Sequence, residues 1–282
     1  MKILLFGITG LVGTEFEFAC ASMPVELIGL SHQEIEIIDY DLVRSTIEAE
    51  KPDAVINLVA IPSINPCEEN PDHACSVHIT APLNIMKSCA SNNITFVQAS
   101  SHAVFDGAKF EPYTEDDRPN PANVYGVSKY ASEILTSNLC PKYYVVRFPT
   151  MYGRRRNRSL GFVDKMVKMI KSNTEIRVAD DKIDSISYAK DVASCLLRIL
   201  LEERRYGTYH ISNSGSVSYY DFVCELQNLL DKKNNIHRAK DSDFPALGKK
   251  PLRTALQSIK LPPMRPWKEA LREYVQQELI CS

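Results

Sequence analysis

What this chain lacks narrows it first. Its eight cysteines (20, 67, 75, 89, 140, 195, 224 and 281) include no Cys-x-x-Cys pair, so neither a metal site nor a disulfide framework is signalled. Several fall in apolar stretches, where a reduced thiol acts as a small hydrophobe. No window approaches the roughly 18 uninterrupted apolar residues that a membrane span needs. Neither sign of charge dominates: 33 Lys and Arg against 35 Asp and Glu leave a formal charge of -2, which argues against a general nucleic-acid or membrane-surface binder. Internal repeats and low-complexity segments are absent. The opening apolar stretch is broken by glycines and reads as a first strand rather than a signal peptide. The expectation is a soluble, cytoplasmic protein without nucleic-acid or membrane partners and without a metal.

What is present suits a globular protein. The 282 residues, 44% hydrophobic and 24% charged, are enough for one large domain or two sharing a boundary. Short β-rich runs at 3–6, 25–30, 54–59, 95–99 and 143–148 alternate with helical patterns at 11–22, 41–50, 78–90 and from about 123. Pro82 fits the first turn of the third of these helices. Alternation at this spacing means parallel strands with crossover helices, hence an α/β, doubly wound Rossmann-type sheet. After Phe148 the pattern loosens. Helices are expected at 162–170, 191–201 and 219–230, short strands at 176–178 and 206–211, and a last helix around Trp267 and Leu271. The predicted division is 1–150 as a dinucleotide-binding domain and 151–282 as a smaller substrate-binding domain, interleaved with short segments of the first.

Two motifs carry chemistry. Gly7-Ile8-Thr9-Gly10-Leu11-Val12-Gly13 follows the first strand and opens the first helix. Missing Cβ atoms at Gly7, Gly10 and Gly13 permit a sharp turn and close backbone approach, and the helix start directs free N–H groups at an anion. Three ligand-free turn glycines are the bland alternative, but the strand before and helix after favour a dinucleotide pyrophosphate. The second strand ends in Leu30-Ser31-His32-Gln33 with no acid at its tip. That leans towards NADPH over NADH, with Ser31 and His32 as donors and Glu36 and Ile37 passing near the adenine.

The second motif is Ser101 just past a strand, then Tyr125 and Lys129 four apart on one helical face. An unperturbed tyrosine, with a pKa near ~10, is a poor proton shuttle at neutral pH. A neighbouring ammonium is expected to lower that pKa, making Tyr125 an acid/base, while Ser101 orients a carbonyl or alcohol. Taken alone, Tyr-x-x-x-Lys arises readily by chance; its order after the glycine turn and Ser101 gives it weight. Arg154, Arg155, Arg156 and Arg158 form a basic loop that either clamps a diphosphate or is simply solvated. His210 reads as structural, and Trp267 as a packing anchor.

These residues, in this order, resemble an extended short-chain dehydrogenase/reductase, with the dTDP-4-dehydrorhamnose reductase family the nearer match. Further similar stretches are Pro52 to Asn57, Val104-Phe105-Asp106-Gly107, Pro112-Tyr113-Thr114-Glu115, Asn123 to Lys129, Tyr209 to Asn213, Ser218 to Phe222 and Pro266 to Leu271. The resemblance spans nearly the whole chain. It implies an NAD(P)H-dependent reduction at C4 of a nucleotide-linked 4-keto-6-deoxysugar, with Tyr125 protonating the incipient alkoxide, Lys129 tuning it and Ser101 orienting the carbonyl. It also implies pyrophosphate contacts from Gly10, Leu11 and Val12, with Leu58, Val59, Ala60 and Phe148 along the cofactor. His102, Ala103 and Arg154 would face the nucleotide-sugar substrate, and a homodimer is allowed.

The departures fall on the substrate side. Where the family shows Asp-Tyr after its serine pair, this chain has His102-Ala103; the Asn-Ala-Ala-Ala loop is Asn57-Leu58-Val59-Ala60; and Ser185-Ile186 replaces a Pro-Thr pair. An epimerase or dehydratase of the same superfamily, or a regulatory subunit retaining the dinucleotide fold, is the alternative.

Overall fold

A computed structural model describes residues 1–154, 156 and 160–280. The chain begins β1 (Lys2–Phe6), α1 (Leu11–Cys20), β2 (Glu26–Leu30), α2 (Tyr40–Glu50) and β3 (Ala54–Asn57). The short helices α3 (Ile64–Glu69) and α4 (Pro71–Cys75) follow, then a π-helical turn over Ser76–Thr80 that runs into α5 (Ala81–Ser91). Pro82 is in the first turn of α5, at the junction where the π-helical turn gives way to α-helix and the regular i→i−4 ladder is already interrupted. Next come β4 (Thr95–Ser101), α6 (Val124–Leu139) and β5 (Tyr143–Phe148).

The second half contains β6 (Met151–Tyr152), α7 (Phe162–Lys171), β7 (Ile176–Ala179), β8 (Ile183–Asp184), β9 (Ser187–Tyr188) and α8 (Ala189–Leu201). It continues with β10 (Gly207–His210), β11 (Val217–Ser218), α9 (Tyr219–Leu229), β12 (Ile236–Ala239) and α10 (Trp267–Tyr274). Six strands form one parallel sheet in the order β10-β5-β4-β3-β1-β2. The remaining strands pair two by two outside it: β11 with β8, β12 with β7, β6 with β9. The two-residue ladders lay outside the sequence expectation because so short a strand shows no alternation.

Both faces of the sheet are covered, which is why β1 reads as a continuous apolar run. Ile3 and Leu5 pack with Phe16 of α1 and with Val192 and Leu196 of α8; Leu4 and Phe6 pack with Val43 and Ile47 of α2 and with Ile85 and Met86 of α5. A separate core joins Tyr152, Tyr188, Phe222, Trp267 and Tyr274 in the second half, with the Tyr152 and Tyr188 rings stacked at 5.5 Å. Beyond residue 150, β10 thus joins the first sheet and α8 packs on its face. The strand order reverses between β2-β1 and β3, and the crevice at the carboxyl ends there is the ligand position of open parallel sheets.

Candidate active site at the carboxyl ends of the parallel strands

The glycine turn lies in that crevice. Gly7 has φ +94°, a conformation side chains rarely adopt, and a Cβ there would meet Leu58 C and Val59 N at 3.2 Å. A Cβ on Gly13 would lie 2.4 Å from Gly7 O and 2.7 Å from Ile8 O. Only hydrogen at this position lets α1 sit so close to the turn. Gly10 caps α1 in extended conformation, with no side-chain cap and no acid in the first turn. The N–H groups of Leu11, Val12 and Gly13 therefore belong to the set a helix start leaves without intrahelical partners. This cradle fits a pyrophosphate, and the 58–60 loop runs directly beside it.

The adenosine end differs from the sequence expectation. Ser31 does not present a free hydroxyl: its Oγ and backbone N–H donate to Glu34 Oε2 at 2.7 and 2.8 Å. Those bonds hold the Glu34 carboxyl below its ordinary range. The tip of β2 does carry an acid, folded back from three residues downstream. Glu36 is exposed and accepts from Ile38 N–H at 3.1 Å, while the Ile37 side chain packs in the core with Val43 and Ile85.

Ser101, Tyr125 and Lys129 come together from β4 and α6, and local devices hold them there. Asn123 caps α6, accepting from Gly126 N–H at 2.8 Å, and Glu68 accepts from Val124 N–H at 2.8 Å. A Cβ on Gly126 would lie 2.2 Å from Ala103 O, so glycine permits the approach that brings Tyr125 to Ser101. The Ser101 hydroxyl accepts from Ala103 N–H at 3.2 Å and stands near enough to the Tyr125 hydroxyl to favour its ionised form.

The protonation states correct one expectation. Burial is the largest influence on Tyr125 and raises its pKa, with the nearby Ser101 hydroxyl pulling the other way. The phenol is a neutral proton donor at neutral pH rather than the phenolate-leaning group anticipated from Lys129. Lys129 is 2% exposed, and burial lowers its pKa to about 8, opposed by the Glu133 carboxylate one turn on. Its ammonium makes no hydrogen bond among the described residues, so its three donors are open to acceptors that a ligand supplies. A ribose diol over α6 would do so, and together with the glycine cradle this fits a nicotinamide dinucleotide.

Behind Lys129, Glu133 is locked. Arg147 of β5 donates to it at 2.9 and 2.7 Å, and Ser100 Oγ donates to the same carboxylate. His210 contacts Arg147 Nη1 at 3.3 Å and Tyr113 O at 3.0 Å, a buried structural role.

One positioning residue had no sequence signal. His78 is fully buried, and burial holds its imidazole down to about 3. Its Nε2 accepts from Ile61 N–H at 2.9 Å, so the proton lies on Nδ1, which donates to Ser128 Oγ at 2.8 Å. Ser128 Oγ in turn donates to Tyr125 O at 2.9 Å, and the His78 ring meets the Tyr125 ring edge-on at 5.5 Å. Only its position in the π-helical turn, invisible to periodicity, puts it there.

On the substrate side the expected residues separate. His102 pairs with Asp184 at 3.1 Å, whereas the Ala103 side chain is 5% exposed and acts through its N–H on Ser101. Arg154 turns away: its guanidinium donates to Glu278 at 3.0 and 2.7 Å and lies 4.7 Å from the Phe18 ring of α1. Arg156 pairs with Glu17 at 2.5 Å. Arg155 and Arg158 lie outside the described residues. Phe148, 5% exposed, is the register partner of Ser101.

Matches to known proteins extend over nearly the whole chain. The spore coat polysaccharide biosynthesis protein SpsK of Bacillus subtilis is 29% identical over 280 residues, covering 98% of this chain and 97% of its own. The dTDP-4-dehydrorhamnose reductase of Aggregatibacter actinomycetemcomitans is 29% identical over 272 residues, covering 92% of each. The crystal structure of a dTDP-4-dehydrorhamnose reductase from Clostridium acetobutylicum superposes with TM-score 0.93 at 32% identity over 98% of this chain and 99% of that one. The Bacillus anthracis enzyme, solved in complex with NADP, gives 0.92 at 26% identity over 98% and 99%. The model of the RmlD substrate binding domain matches residues 1–280, and the chain belongs to that family, within the extended short-chain dehydrogenase/reductases.

Proposed function

We propose that this chain is an NAD(P)H-dependent reductase of a nucleotide-linked 4-keto-6-deoxysugar. The observation that carries the reading is the meeting of Ser101, Tyr125 and a buried, unbonded Lys129 ammonium beside a glycine cradle that no side chain could share. The cofactor, when bound, supplies the hydride that reduces C4.

The chain's own residues do the rest. The turn at Gly7, Gly10 and Gly13 and the N–H groups of Leu11 and Val12 bind the pyrophosphate. Lys129 holds a ribose and carries positive charge under the reaction. Ser101 donates to the carbonyl oxygen, and Tyr125, kept protonated by burial, gives its proton to that oxygen as negative charge develops. A raised phenol pKa does not spoil this step, because an alkoxide is a far stronger base than a phenolate. His78 and Gly126 fix where the phenol stands. The segments beyond 150 that are not part of the first sheet form the lobe over the sugar. The carrier of the sugar is a nucleoside diphosphate, as in the dTDP-linked substrate that names several relatives.

Steady NADPH oxidation with dTDP-4-dehydrorhamnose, or with another ketosugar of a panel, is the expected result. Conversion without net oxidation would indicate an epimerase or dehydratase instead. In Tyr125→Phe, turnover should fall about 10²–10⁴-fold with NADPH affinity unchanged. A near-native rate would remove the phenol from its role.

A further inference from the structure

The family pattern places an acid directly after the serine pair, and this chain places His102 there. The fold returns a carboxylate to the same place from a different element. Asp184, at the end of β8, is fully buried, and its Oδ1 and Oδ2 lie 3.2 and 3.1 Å from His102 Nδ1. It also accepts from Thr150 N–H at 3.0 Å and Ser185 N–H at 2.8 Å. Thr150 follows Phe148 by two residues, so one carboxylate joins the ends of β4 and β5 to the second lobe. The His102 side chain keeps 18% exposure, and its Nε2 makes no hydrogen bond among the described residues.

An ionised carboxylate only accepts, so the contact requires the proton on Nδ1. A neutral imidazole held that way leaves Nε2 as an acceptor. Ser101, the group proposed to orient the carbonyl, is the adjacent residue. We propose that Asp184 is a positioning residue that keeps the His102 proton on Nδ1, so that Nε2 accepts a hydrogen bond from a sugar hydroxyl near the keto carbon. This makes the pair a determinant of substrate choice, and it rests on the reductase reading above. The acceptor offered by the family's acid is thereby kept, while its negative charge is withdrawn behind the ring. That arrangement puts less repulsion against a carbonyl oxygen that itself becomes negative.

Asp184→Asn tests this, because an amide can donate to Nδ1 and drive the proton to Nε2, the same tautomer error that an Asp→Asn change produces in a Ser-His-Asp triad. Nitrogen-15 NMR of the imidazole, recorded without substrate, should show the proton move from Nδ1 to Nε2. KM for the ketosugar nucleotide should rise about tenfold, the value of one hydrogen bond, with a smaller change in kcat and NADPH affinity within about twofold. An unchanged tautomer or unchanged KM overturns the proposal, as does a joint loss of cofactor affinity and thermal stability, which would make Asp184 merely structural.

If Asp184→Asn does not fold, His102→Gln and His102→Leu decide. The glutamine amide oxygen can stand where Nε2 stood and should hold KM within about threefold, whereas leucine should raise it about tenfold; equal KM values refute the contact. A wild type that reduces no ketosugar sinks the reductase reading separately. The tautomer and the affinity of these variants for dTDP-rhamnose would then still judge the pair.

Discussion

Gly126→Ala separates positioning from chemistry, because it leaves every polar group of the site in place. The added Cβ would stand 2.2 Å from Ala103 O and 3.0 Å from Pro121 Cβ. Real Cβ contacts stop near 3.0 Å, so α6 and the segment after Ser101 must part by at least 0.8 Å. Neither neighbour is the end of a flexible side chain: one is backbone and the other a proline ring. Against this, alanine is favoured over glycine by about 1 kcal/mol in a helix interior, and by less at the third residue of α6. Overpacking costs about 1–3 kcal/mol, so the clash outweighs propensity and the melting temperature should drop by a few degrees.

The kinetic effect should be larger than the thermal one. A displacement near 1 Å in reacting groups costs about 10²-fold, equivalent to about 2.7 kcal/mol of barrier. Steady-state kinetics with the preferred ketosugar should show kcat/KM reduced to that extent. NADPH affinity, measured by nucleotide fluorescence, should change much less, because the glycine cradle is on another element. Native turnover together with a native melting temperature would refute the claim that glycine at 126 sets the Tyr125–Ser101 approach.

Three further outcomes follow from the same geometry. Gly13→Ala, whose Cβ has 2.4 Å to Gly7 O, should abolish measurable NADPH binding in a titration and lower the melting temperature. Retained affinity would show that the turn is not the pyrophosphate cradle. Glu34→Gln should improve NADPH affinity severalfold while leaving NADH affinity nearly unchanged, because the carboxylate held on Ser31 opposes a 2′-phosphate; equal shifts for both cofactors would exclude that role. Lys129 titrates near 8, so kcat/KM should fall as pH rises through 8 and the ammonium is lost. Its contribution to stability has the opposite sign. The unfolded chain, with lysine near 10.5, binds the extra proton between pH 8 and 10.5, so this group's destabilisation fades as pH rises. A pH-rate profile flat to pH 10 would remove the charge requirement.

The sheet was legible because its signal is repetitive: Ile3 to Phe6 of β1 is an unbroken apolar run, β5 is one interrupted only by Arg147, and the helices between the strands have period-3.6 faces. The chemistry-bearing residues of β4 and α6 were legible because helical spacing alone sets Tyr125 and Lys129 on one side. What escaped was anything requiring the chain to fold back. Glu34 bonds to a residue three positions earlier and so supplies the acid that the strand end lacked. Arg154 reads as a phosphate clamp in a basic run, but Glu278, 124 residues away, takes its guanidinium. The Asp184–His102 contact spans 82 residues, and no local pattern announces it.

The late arrival of β10 has a consequence for synthesis. Until residues 207–210 leave the ribosome, β5 is an unprotected sheet edge. Until α8 is made, Ile3, Leu5 and Phe16 lack the Val192 and Leu196 that cover them. A nascent chain stopped near residue 150 is therefore an open-edged, half-naked platform prone to self-association. Pulse proteolysis of ribosome-bound fragments should show protection arising abruptly once the strand after α8 has emerged, rather than when the first half is complete.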